Sequence, residues 1–218
     1  MRYIKKGTEP QSLTKYKKES NAYNDGYEKK DEIREKLLKE QGYLCGYCMR
    51  RLGSCEDVKI EHVVSQSSLK EIERAALDYR IMLGVCYGNE GKPKAQQTCD
   101  THRGNADLKI NPFDQALVNM IKYKPDGTIY SDDPDINKDL DETLNLNYIG
   151  DNVYLKSNRK EALQACKSKL AKLQREGNWS KRLIMQMLKE YEIPDAEGQL
   201  IPYSGIVVDY LKGRLERA

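Results

Sequence analysis

Cys45-Gly46-Tyr47-Cys48, Lys59-Ile60-Glu61-His62, Cys86, and Cys99-Asp100-Thr101-His102-Arg103-Gly104-Asn105 all fall between residues 45 and 105. Two thiolates at Cys-x-x-Cys spacing reach one tetrahedral metal from a tight turn. Thiol redox chemistry uses the same spacing, but redox pairs usually follow a strand and open a helix. Here the pair follows a helix-like segment and Gly42, which disfavours redox. A tetrahedral site requires two more ligands, and Cys86 and Cys99 are available, with Cys55 as a weaker substitute. Read instead as small core residues, Cys86 and Cys99 would leave the knuckle without partners.

The chain contains two His, His62 and His102, both in this window. His62 follows the strand-like run Val58-Lys59-Ile60-Glu61. Along a strand Glu61 and His62 point to opposite sides, but at a strand end both can line one site. A carboxylate suits a hard cation such as Mg2+. An imidazole with a pKa near ~6.5 suits general-base work on water. If the run from Cys99 opens a helix, His102 can face the strand and add a second ligand.

Outward from the window, Asp31 to Gln41 reads as a helix with Ile33, Leu37 and Leu38 on one face. Gly42 follows at the position of a C-terminal glycine cap. Residues 1–27 lack helical periodicity and contain Gly7, Pro10 and Asn24-Asp25-Gly26, so an extended arm with turns is expected. Asp126-Gly127 lies between Val118-Asn119-Met120-Ile121-Lys122-Tyr123 and Thr128-Ile129-Tyr130, a hairpin signal. The last third reads as three helices. The first is capped by Ser157 or Asn158, carries Leu163, Cys166, Leu170 and Leu173, and ends near Gly177. The second is capped by Ser180 and stops before Pro194. The third follows Ser204.

Among the 218 residues, 33% are charged and 39% are apolar. The mean hydropathy is −0.80. No run approaches the roughly 18 apolar residues that span a bilayer, which excludes a membrane-spanning helix. The opening Met1-Arg2-Tyr3-Ile4-Lys5-Lys6 is not a secretory signal, so a cytoplasmic location is expected. There the six Cys would be metal ligands or core residues before they were disulfides. The net charge of +3 is a weak pointer to polyanions, but charge is segregated. Residues 1–20 carry six Lys/Arg against two Asp/Glu, and residues 157–190 nine against three, whereas residues 131–143 carry six acids and one Lys. Such basic stretches are either a phosphate-facing surface or solvated helix faces.

Cys-x-x-Cys, then Ile60-Glu61-His62, then Cys86, then Cys99-Asp100-x-His102-Arg103-Gly104 resemble a zinc-stapled HNH endonuclease with a ββα-metal site. The wider pattern is similar to the PtuB family, the HNH effectors of Septu and of some retron anti-phage systems. It comprises Met1-Arg2-x-Ile4, Leu77-Asp78-Tyr79, Met82-Leu83-Gly84-Val85-Cys86, Leu108-x-Ile110-Asn111-Pro112, Leu144-Asn145-Leu146-Asn147 and Asn158-Arg159. The resemblance implies an α+β fold: an HNH core with a structural zinc knuckle, a β-hairpin and a helical C-terminal region. The corresponding division is an arm at 1–27, a zinc-stapled nuclease core at 28–115, and the hairpin plus helical region at 116–218.

By the same resemblance, His62 is the general base, and Glu61 and His102 hold a catalytic Mg2+ or Mn2+. Cys45, Cys48, Cys86 and Cys99 hold Zn2+. Arg103, with Lys59 and Asn105, contacts nucleic acid. HNH proteins commonly brace the loop around the base with an Asn. Here Ile81 occupies that position, so either Asn89 or Asn105 substitutes or the brace is lost. The implied activity is hydrolysis of phosphodiester bonds, in DNA foremost and in tRNA as the alternative. The implied partner is a PtuA-like ATPase, joined in retron systems by a reverse transcriptase and its msDNA. A zinc-ribbon module without catalysis is the competing interpretation, and it leaves the coincidence of Glu61, His62 and His102 unexplained.

Overall fold

The structure is a computed structural model, and it describes residues 1–19, 22–23, 26–64, 75–150, 153–173 and 179–217. The fold is α+β, with about half of the residues in helices and the strands confined to small two-stranded sheets. Helix α1 (Gln11–Tyr16) precedes helix α2 (Lys30–Glu40). Strands β1 (Lys59–His62) and β2 (Met82–Val85) pair antiparallel, with Glu61 opposite Leu83 and His62 opposite Met82. The short helix α3 (Cys99–Arg103) follows.

Helix α2 buries Ile33, Leu37 and Leu38, the face expected from its periodicity. It ends in a paired C-terminal cap: the Tyr43 amide donates to the Leu38 carbonyl at 2.8 Å and the Gly42 amide to Lys39 at 3.4 Å. Gly42 has φ +60°, a conformation that glycine adopts without steric penalty. The next residue, Tyr43, is also left-handed at φ 60°, so the chain reverses sharply into the knuckle.

The expected arm is corrected on two counts. It contains α1, and it packs into the body. Met1 and Ile4 lie in the main core beside Tyr47, Val85 and Ile110, and the Ile4 amide donates to the Pro112 carbonyl at 2.9 Å. Leu13, Ala22 and Tyr27 join Ile33, Leu37, Tyr79 and Met82 in a second cluster. Six residues form too short a helix for hydrophobic periodicity to register. Asn24 and Asp25 lie outside the described residues.

Beyond α3, helix α4 (Gln115–Asn119) leads into the hairpin of β3 (Ile121–Tyr123) and β4 (Ile129–Ser131). The turn at Asp126-Gly127 is where expected, but Val118 and Asn119 are helical, not strand. The Asp114 carboxylate caps α4 by accepting from the Ala116 amide at 2.8 Å, and this cap overrides the β propensity of Val118. Gly127 has φ +90°, and a Cβ there would stand 2.0 Å from the Lys156 carbonyl oxygen. The acidic stretch does structural work. Asp133 caps helix α5 (Pro134–Lys138), and Asp139 accepts from the amides of Lys109 at 2.6 Å and Ile110 at 2.9 Å.

Strands β5 (Ile149–Gly150) and β6 (Val153–Tyr154) feed helix α6 (Leu155–Leu173), followed by α7 (Lys181–Glu192) and α8 (Ser204–Leu215). Leu163, Cys166, Leu170, Ile184, Met187, Val207 and Leu211 close a third core among these helices. Ser180 caps α7 as expected, accepting from the Leu183 amide. Neither Ser157 nor Asn158 caps α6, because the β5–β6 hairpin delivers the chain into the helix two residues earlier. Asn158 instead donates to the Tyr203 hydroxyl at 3.0 Å. The expected end at Gly177 lies outside the described residues.

Gln41 ties these parts to the knuckle. Its buried amide donates to the carbonyls of Leu44 at 2.8 Å and Gly84 at 2.7 Å, and accepts from the Gly84 amide at 2.7 Å. Gln41→Leu removes all three bonds and leaves buried backbone groups unpaired. The expected loss is about 2 kcal/mol or more, read as a lower midpoint in urea unfolding; an unchanged midpoint would show that the tie carries no stability.

Candidate functional site

The four cysteines of the knuckle come from three segments. Cys45 and Cys48 sit on a turn closed by the bonds Cys45 amide to Arg50 carbonyl at 2.9 Å and Met49 amide to Cys45 carbonyl at 3.0 Å. Cys86 leaves the end of β2, and Cys99 opens α3 at φ 55°. All four are buried, and their sulfurs lie within 4.8 Å of one another. The separations are 3.7 Å for Cys86–Cys99, 3.8 Å for Cys48–Cys86 and 4.0 Å for Cys45–Cys99. A tetrahedron of sulfurs around zinc, each at ~2.3 Å, has edges of about 3.8 Å. Disulfide bonds need about 2.05 Å. The cluster could therefore hold a metal such as zinc. The Cys86 amide, 3.3 Å from Cys45 Sγ, supplies the kind of outer hydrogen bond that steadies a metal-bound thiolate. Cys55 stands apart, its sulfur facing the Asp31 carbonyl. Cys166 sits in the helical core, where burial pushes its thiol up to about 11.

Beside the knuckle, a cleft of about 380 Å3 is lined by Lys59, Glu61, His62, Asp100 and Asn105, among others. Strand pleating turns Lys59 and Glu61 toward α3, and His62 toward Ala76. At the strand end both Glu61 and His62 still border the cleft. The His62 Nε2 lies 2.8 Å from the Ala76 carbonyl oxygen. A carbonyl only accepts, so Nε2 carries the proton and Nδ1 of the neutral ring is an acceptor. Burial lowers the His62 pKa, against the contrary pull of the Ala76 bond and of Asp100. The group that orients the His62 ring is a backbone carbonyl, that of Ala76. Asn89 instead donates to Gln96 at 3.0 Å, and the Ile81 carbonyl accepts from the Val63 amide at 3.0 Å, extending the β1–β2 pairing.

The structure brings Glu61 together with Asp100, not with His102. Asp100 faces Glu61 across the cleft and lies 2.9 Å from the Lys59 ammonium. Burial foremost, then the hydrogen bond and charge of Asp100, push the Glu61 carboxyl up to about 9 against the pull of Arg103. Glu61 and Asp100 both line the cleft and offer it hard oxygens, a donor set that suits a hard cation. His102 is outside this cleft, with Nδ1 3.0 Å from the Thr143 carbonyl. Helix geometry gives the reason. His102 is two residues past Asp100, about 200° around the helix, whereas Arg103 at i+3 shares the face of Asp100. That spacing was the available signal for Asp100, which sequence reasoning passed over in favour of a His.

Arg103 is also corrected. Its guanidinium is buried and donates to the Glu61 carboxylate, to His62 O at 2.8 Å, Val63 O at 3.2 Å and Ala106 O at 2.7 Å. It fastens α3 to the end of β1, and although it borders the cleft its donors are engaged by these partners. Lys59 and Asn105 do line the cleft, and Asn105 is exposed. Burial would lower the Lys59 ammonium pKa, but the hydrogen bond and charge of Asp100 outweigh it and raise it.

The knuckle is expected to carry about one zinc per chain. Cys48→Ser should lower both the metal content and the unfolding temperature, since structural zinc binding is folding free energy. Cys55→Ser should change neither. Full metal content in a Cys45→Ser, Cys48→Ser double variant, measured by elemental analysis, would contradict the assignment.

No protein-family model matches the chain, and comparison with curated proteins gives no significant match.

Proposed function

We propose that the chain is a metal-dependent endonuclease of the HNH type that hydrolyses phosphodiester bonds of nucleic acid, DNA foremost. The observation that carries this reading is the cleft in which a neutral, oriented imidazole stands beside two buried carboxylates. Zinc in the four-cysteine knuckle is given a structural role. The donor set of Glu61 and Asp100 suits Mg2+ or Mn2+, because both offer hard oxygens in a partly buried site. When bound there, such an ion would supply positive charge to the scissile phosphate and the leaving oxygen.

His62 takes the proton of the attacking water at Nδ1, while Nε2 stays bonded to Ala76. Lys59 adds a cation at the cleft edge and is held in place by Asp100. Arg103 fixes the strand end that carries Glu61 and His62, so it positions the site without touching substrate. Activation of external water requires no ribose hydroxyl, which keeps tRNA as the alternative substrate. The sequence resemblance to PtuB effectors adds control by an ATPase partner in an anti-phage system. The N-terminal segment packs on the body through Met1, Ile4 and Leu13.

His62→Ala is expected to reduce Mg2+-dependent plasmid nicking by roughly 10²–10⁴-fold without loss of zinc. With its pKa lowered by burial, His62 stays neutral to lower pH than a free imidazole. At saturating Mg2+ the rate should therefore hold as pH falls to about 6.5 and decline only below it. Nicking by His62→Ala at the parent rate would remove His62 from the chemistry. Absence of metal-dependent cleavage of both plasmid and tRNA by the parent would instead favour a zinc-bearing binding module.

A further inference from the structure

A second cleft, of about 320 Å3, opens on the other side of His62. It shares Lys59, Ile60, His62 and Glu90 with the first. Its apolar lining comes from Ile33, Leu77 and Met82, all buried. Its charged lining comes from Lys30, Arg34 and Lys59, against the single carboxylate of Glu90. At its edge stands Tyr87, 43% exposed.

The backbone under Tyr87 is fixed on both sides. Cys86 belongs to the knuckle, and the Tyr87 carbonyl accepts from Thr101 Oγ1 at 2.8 Å and from the Glu90 amide at 2.9 Å. Arg34 is likewise anchored, donating to the Val58 carbonyl at 3.1 Å and to the Asp31 carboxylate at 2.6 Å, while Lys59 pairs with Asp100 at 2.9 Å and with Glu90 at 3.8 Å. An exposed ring on an anchored stretch of backbone, next to an apolar slot rimmed by Lys30, Arg34 and Lys59, suits a planar base carrying a phosphate.

We propose that this cleft receives an unpaired nucleotide adjoining the scissile phosphate, its base stacked on Tyr87 and its phosphate facing Lys59 and Arg34. The inference rests on the nuclease reading for its place beside the cut, and the cleft would hold the strand in register with His62. Contacts to phosphate alone would position the strand without a base platform; Tyr87 supplies that platform.

The test separates binding from cleavage. A fluorescein-labelled single-stranded oligonucleotide is titrated without Mg2+, and affinity is read by anisotropy. Plasmid nicking with Mg2+ is measured in parallel. Tyr87→Ala should weaken oligonucleotide binding about 5- to 100-fold, and Tyr87→Phe should bind like the parent. Zinc content should be unchanged in both. With Tyr87→Trp, indole fluorescence should be quenched on binding, and much less so by an abasic strand of equal length. Tyr87→Ala binding within about twofold of the parent would overturn the subsite, as would equal quenching by the abasic strand. Binding with the expected Tyr87 dependence but no nicking by the parent would leave the subsite standing and remove the nuclease reading.

Discussion

Four sulfurs held within 4.8 Å of one another are the constraint on which the rest of the structure depends. They join a turn after α2, the end of β2 and the first residue of α3, segments well separated in the chain. Without a metal, four buried thiols offer little beyond small apolar packing. With one, their convergence becomes folding free energy. The same junction sets the register of the cleft. Cys86 follows the strand that pairs with Glu61 and His62, and Cys99 starts the helix that carries Asp100 and Arg103. Gln41 then ties α2 and the knuckle to Gly84 in the middle of β2.

The cleft concentrates charge in a buried place. Burying Glu61, Asp100 and Arg103 together carries a desolvation cost that their mutual contacts only partly offset. The raised Glu61 pKa records that cost. Ordinary cores avoid such clusters, and their presence beside a cleft points to a site that meets charge from outside. Arg103 limits the cost by satisfying three backbone carbonyls at once. In the proposed reaction, its work is to keep the strand end rigid while the carboxylates meet a cation.

Much of this arrangement was legible in the sequence. The spacing Cys45-x-x-Cys48 and the scarcity of His directed attention to the right window, and the periodicity of α2 and the caps at Gly42 and Ser180 fixed local elements. What escaped was set by angles and tertiary contacts. His102 was assigned as the ligand from the run that opens a helix and from the HNH resemblance, yet it lies two residues from Asp100, which reverses its facing direction. Arg103 looked like a phosphate ligand because its backbone partners, His62, Val63 and Ala106, are invisible until the strand end meets α3. The first 27 residues looked extended because Met1, Ile4 and Leu13 are buried by long-range packing that leaves no local pattern. The Ala76 brace could not be read at all, since a backbone carbonyl has no sequence signature.

The central claim is that a cation in the cleft is held by Glu61 and Asp100, with His102 facing elsewhere. Mn2+ binding to the zinc-loaded protein, followed by calorimetry or electron paramagnetic resonance, tests it most directly. The account predicts that Asp100→Asn weakens Mn2+ binding by at least about tenfold, whereas His102→Ala leaves it close to the parent. Tight Mn2+ binding in Asp100→Asn together with its loss in His102→Ala would contradict the account.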